Sequence, residues 1–110
     1  MLIASIFENP AYGLEKPAIK ILLDTPSIKE VRITFRKGQE MKEHKAPFPI
    51  VVEVVEGAID FGIGEERQLL TRGMLIALDA LLPHDLRAEE DSVVRLSLSK
   101  AERVQRVEQI

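Results

Sequence analysis

From residue 17 onward the chain alternates apolar and polar residues with a period of two. The runs are short and β-branched, separated by Gly, Pro, Asn, Asp or clusters of charge. In Val31-Arg32-Ile33-Thr34-Phe35-Arg36 the apolar Val31, Ile33 and Phe35 share one face, and Arg32, Thr34 and Arg36 share the other. That alternation predicts an antiparallel strand with one row in the core and one in water. Val94-Arg95-Leu96-Ser97-Leu98-Ser99 repeats it near the C-terminus. Between them lie runs at 50–56, 58–63, 66–70 and 74–78, punctuated by Gly57, Gly62, Gly64 and Gly73. Strand signals recurring about every ten residues predict an all-β barrel or sandwich. Parity assigns Val31, Ile33, Phe35, Ile50, Val52, Val54, Val94, Leu96 and Leu98 to its core.

Ile50-Val51-Val52-Glu53-Val54-Val55 departs from simple alternation, because Val51 and Val55 make its second face apolar too. Such a strand is covered on both sides. A two-fold homodimer would supply the second cover. The rival is internal: an N-terminal segment carrying Ile3, Ile6, Phe7 and Tyr12, folded back over the sheet. The tail at 100–108 is rich in helix formers, with Val104 and Val107 three apart after a Ser99 cap, and predicts a short terminal helix.

Composition narrows the function more than the fold. The 110 residues form one domain, with an extension and first strand over 1–27, a core over 28–99 and a tail over 100–110. There is no Cys, which excludes disulfides, thiolate metal sites and a cysteine nucleophile. A net charge of -3 and scattered Lys and Arg argue against nucleic acid or an anionic membrane as partner. No apolar run approaches the roughly 20 residues that span a bilayer. With no basic leader before the Glu8-Asn9-Pro10 break, the expected location is cytoplasmic.

Gly38-Gln39-Glu40-Met41-Lys42-Glu43-His44-Lys45-Ala46-Pro47-Phe48-Pro49-Ile50, running on to Gly57, is followed by a second stretch from Gly73 to His84 and Ala88. Together they resemble the two motifs of a small single-domain cupin. In that family the first motif is Gly, five residues, His, one residue, His, three or four residues, Glu, six residues and Gly. Gly38, His44 and Gly57 keep the spacing, while Ala46 and Ile50 stand where the second His and the Glu would be. In the second motif Gly73 and His84 keep their separation of eleven, while Asp79, Leu81 and Ala88 replace a Pro, a Gly and an Asn. The chain has only two histidines, and both fall on family ligand positions.

The resemblance implies a double-stranded β-helix, a jelly-roll-like barrel, with a pocket at its mouth bounded by His44, His84, Ala46, Ile50 and Phe48. A full family set of imidazoles and a carboxylate holds a divalent metal such as Fe, Mn, Ni or Zn. Here His44 and His84 remain, and on a regular strand Glu40 has the parity to join them, unless a bulge turns it away. Two functions follow. One is binding of a small molecule in a drier, less charged pocket, with the histidines as hydrogen-bond partners. The other is a metal-dependent small-molecule enzyme, of dioxygenase or isomerase type, using His44 and His84. The loss of two ligand positions favours binding. Gly62-Ile63-Gly64 is a turn, the serines form no triad pattern, and Glu65-Glu66-Arg67 and Glu89-Glu90-Asp91 read as solvated tips.

Overall fold

A computed structural model describes residues 1–100 as nine strands and no helix. They are β1 (Ala18–Asp24), β2 (Ile28–Phe35), β3 (Glu40–His44), β4 (Ile50–Glu56), β5 (Ala58–Ile63), β6 (Glu66–Thr71), β7 (Leu75–Leu78), β8 (His84–Ala88) and β9 (Ser92–Ser99). The helix expected at 100–108 lies, from residue 101 on, outside the described residues. Among the described residues no helix is long and apolar enough to cross a membrane.

All pairings are antiparallel, in a five-stranded sheet ordered β1-β2-β9-β4-β7 and a four-stranded sheet ordered β3-β8-β5-β6. The period-two runs dictate what lies between the sheets. Register aligns Ile33, Val94 and Val54 in one inward row and Val31, Leu96 and Val52 in the next. Across from them the second sheet turns in Ile59, Phe61, Leu70, Leu86 and Ala88. Val31, Ile33, Phe35, Ile50, Val52, Val54 and Val94 are buried as parity predicts, whereas Leu96 and Leu98 are only partly covered at the open end.

Of the predicted polar row, Arg36 faces water but Arg32 and Thr34 do not. Arg32 and Thr34 are 3% and 1% exposed, because the N-terminal segment crosses that face. Arg32 Nη1 donates to the carbonyl oxygens of Ile6 and Glu8, both at 2.9 Å, and Thr34 donates to that of Ala11. Gln39 Nε2 donates to Gly13 O at 2.9 Å, and the Arg36 guanidinium lies 4.1 Å from the centre of the Tyr12 ring. Alternation reports which residues share a face, not what covers it. The segment thus folds back over the first sheet, chiefly on β2, and Phe7 reaches a cavity it shares with Glu53 and Val55.

Arg67, at the edge of the Glu65-Glu66-Arg67 cluster, is exposed but ion-paired. The Arg67 guanidinium bridges Asp60 at 2.9 Å and Asp85 at 2.8 Å over Gly62, where a Cβ would sit 2.2 Å from Arg67 Nη1. The missing side chain at Gly62 makes room for this clamp. Arg67 holds the Asp85 carboxyl below the usual carboxylate range.

Candidate functional site

The antiparallel pairing of β3 with β8 sets His44 directly opposite His84. Their ring centroids are 4.4 Å apart in an edge-on arrangement, and the His84 ring stacks on Phe61 at 5.5 Å with an interplanar angle of 6°. Each ring is anchored by the same local device. His44 Nδ1 lies 2.8 Å from the Lys42 carbonyl oxygen, and His84 Nδ1 lies 2.9 Å from that of Leu82. A carbonyl only accepts, so Nδ1 carries the proton in both rings. In the neutral form each Nε2 is then an acceptor with no hydrogen-bond partner among the described residues.

Burial differs across the pair. His84 is 3% exposed, while His44 lies at the rim. Burial pushes the His84 pKa below its ordinary value, and the nearby His44 acts in the same direction. The Leu82 carbonyl and Asp85 oppose this without reversing it. His84 is therefore a neutral imidazole near pH 7.

The other expected residues are dispersed around this pair. Ile50 is a buried core residue and lines a cavity of about 360 Å³ with Leu78, Leu82 and Leu98. Ala46 packs against the core, and its carbonyl accepts the Leu81 N–H at 2.7 Å. Phe48 is half-buried and outside the core cluster. Glu40 does not join the histidines. The β3–β8 register shifts between Met41 and His44, so Met41 and His44 take the inward side and Glu40 pairs with Arg87. This bulge removes the parity on which Glu40 was matched to His44.

The reading from sequence missed Phe61, Met41 and Gln68. Met41 pairs with Leu86, Leu86 with Phe61, and Phe61 with Gln68, which forms one inward row beside the histidines. Phe61, Ile63, Gln68 and Ile76 line a second cavity of about 190 Å³. Their signal was the inward parity of β5 and β6, followed across the hairpin at Gly64. Leu81 also stands out: its φ of 66° is left-handed, at the position where the family motif carries Gly.

A divalent metal is the cofactor the resemblance implies, and the donor set does not fit it as a resident ion. Two imidazoles are present, but Ala46 and Ile50 offer no ligand and the bulge turns Glu40 away. Among the described residues no group of three His, Cys, Asp or Glu side chains could hold a metal ion.

These two antiparallel sheets have the cupin fold, a double-stranded β-helix. An RmlC-like cupin from Desulfovibrio desulfuricans is 24% identical, with 90% of this chain and 96% of that one covered at a TM-score of 0.82. KdgF from Halomonas sp. is 24% identical, with 90% and 93% covered at a TM-score of 0.78. An RmlC-like cupin from Shewanella frigidimarina is 20% identical, with 92% and 93% covered at 0.77. At these identities the likeness is one of fold. No family model matches the chain, and no curated protein matches it in sequence.

Proposed function

We propose that this is a cytoplasmic small-molecule-binding cupin whose ligand is gripped at the barrel mouth by the Nε2 atoms of His44 and His84. The observation that carries this reading is the shared tautomer. Two adjacent rings, each with Nδ1–H tied to a backbone carbonyl, offer two hydrogen-bond acceptors side by side. A ligand with neighbouring O–H or N–H donors on a small apolar frame matches them. Phe61, Met41 and Leu82 supply apolar surface around the pair. A second copy packed on the outer face of the first sheet, over Val51 and the exposed Leu75, completes the proposed assembly.

The test is a titration with a panel of polyols, monosaccharides and small amines, reading the 15N shifts of the two histidine rings. Zn2+ and Ni2+ are run as separate arms. The reading expects at least one organic class to shift both Nε2 signals saturably, and His84→Gln to abolish the response. Saturation by a metal ion alone, or no saturable response in any arm, would overturn it.

A further inference from the structure

On the outer face of the first sheet, far from the histidines in register, three cations lie in one row. Lys20 on β1 is directly opposite Arg32 on β2, which is directly opposite Arg95 on β9. Like charges set opposite each other on one face repel. Arg95 is compensated, with Glu53 at 2.8 Å and Glu30 at 3.1 Å. Arg32 is not. It is 3% exposed, and among the described residues no carboxylate lies within ion-pair distance of it or of Lys20. Its acceptors are main-chain carbonyls: Ile6 and Glu8 take the two Nη1 protons and Asn9 takes one from Nη2 at 3.4 Å. That leaves Nε–H and one Nη2–H, the edge of a guanidinium that grips two oxygens of one oxyanion.

A buried charge without a counterion is costly unless something supplies one. Beside Arg32, between the N-terminal segment and β1, is a cavity of about 300 Å³ lined by Asn9, Ala11, Lys20, Arg32 and Thr34, with no acidic residue on its wall. We infer that this cavity is a binding site for a small oxyanion, phosphate or carboxylate, held by Arg32 from below and Lys20 from the rim. The site is separate from the barrel mouth and does not depend on what binds there. The backbone carbonyls orient the guanidinium and neutralise part of its field. They provide no full negative charge to offset Arg32 and Lys20 together.

The experiment is an NMR titration of the full chain with inorganic phosphate and, separately, with acetate, against sodium chloride at matched ionic strength. Saturable shifts of the Ala11, Lys20 and Arg32 amides with either oxyanion, and none with chloride, are expected. The tighter of the two tells whether the natural group is a phosphate or a carboxylate. Lys20→Met should weaken the binding about tenfold, as loss of one hydrogen bond to a charged group does. Among the described residues Lys20 makes no side-chain ion pair to the N-terminal segment, so the variant keeps its fold. Lys29→Met, on the opposite face of β2, should leave the affinity unchanged. Equal weakening by the two variants, or no saturation with either oxyanion, would overturn the assignment.

Discussion

Gly57 and Gly73 have nearly the same backbone, with φ of 93° and 88°, and very different surroundings. A Cβ at Gly73 meets nothing within 4 Å. A Cβ at Gly57 would lie 2.2 Å from Ser92 Oγ, 2.4 Å from Asp91 O and 2.8 Å from Ser92 Cα. Two of those atoms are backbone and cannot rotate away. Ser92 Oγ is buried and accepts the Ala58 N–H at 3.1 Å, so pushing it aside leaves that donor unpaired. Gly73→Ala should therefore cost only the left-handed backbone penalty, about 1–2 kcal/mol. Gly57→Ala adds overpacking of about 1–3 kcal/mol and a buried unpaired N–H worth about 1–3 kcal/mol. The gap between the two variants is thus at least about 2 kcal/mol, a large share of the roughly 5–15 kcal/mol that stabilises a domain. Urea unfolding followed by far-UV circular dichroism measures both. Equal costs at the two positions would mean that β4 and β9 do not approach as closely at Gly57 as the structure places them.

Burial holds the His84 pKa below that of an unfolded histidine, so the unfolded chain binds the proton more readily. This contribution to stability is intact above about pH 6.5 and is lost as the pH falls below it toward the folded value, at no more than about 1.4 kcal/mol per pH unit. His84→Gln should flatten that slope in urea midpoints measured from pH 7 to 5; an unchanged slope would assign the acid sensitivity elsewhere. Leu81→Gly relieves a left-handed leucine and should stabilise the fold or leave it neutral, where the same change at an ordinary exposed loop residue would destabilise. A clear loss of stability would mean that the Leu81 side chain packs more than its 58% exposure indicates. Val51→Arg should convert a dimer into soluble 12.4 kDa monomers in light scattering. A mass of 12.4 kDa already in the unmodified protein would remove the dimer.

Strand parity carried most of the fold because the chain alternates cleanly wherever one face is buried, and register follows from that alternation. It failed where a second layer lies outside the sheet. Arg32 and Thr34 look solvent-facing in any local window, and only a segment more than twenty residues upstream buries them. The same limit applies to Arg67 and Asp85, eighteen residues apart, which meet across Gly62. The pairing of His44 with His84 was legible only through motif spacing, since no periodicity links residues forty apart. Parity failed again within β3, where one bulge separates Met41 from His44 and reverses the side on which Glu40 lies. A bulge is a property of two paired strands, and a single run of residues does not announce it. Phe61 lies in the run at 58–63 but was not singled out, and its stacking on His84 depends on the β5–β8 pairing.

The local anchoring of the two rings leads to the last prediction. Each Nδ1–H bonds a carbonyl only two residues earlier in the chain, so neither ring depends on a metal or on other ligands for its tautomer. Metal-binding histidines need such a partner on the second nitrogen, and here it is already supplied. What the site lacks is donors at Ala46 and Ile50. The double variant Ala46→His, Ile50→Glu should therefore bind Ni2+ or Zn2+, detected as a rise in melting temperature with added metal that the unmodified protein does not show. Glu at position 50 replaces a side chain only 4% exposed, so the metal-free variant should melt lower than the parent. Metal should then restore stability in proportion to the logarithm of its concentration once above the dissociation constant. His44→Ala in that background should abolish the gain. If the double variant folds and metal leaves its melting temperature unchanged, positions 46 and 50 do not converge with the two rings on one point in the barrel mouth.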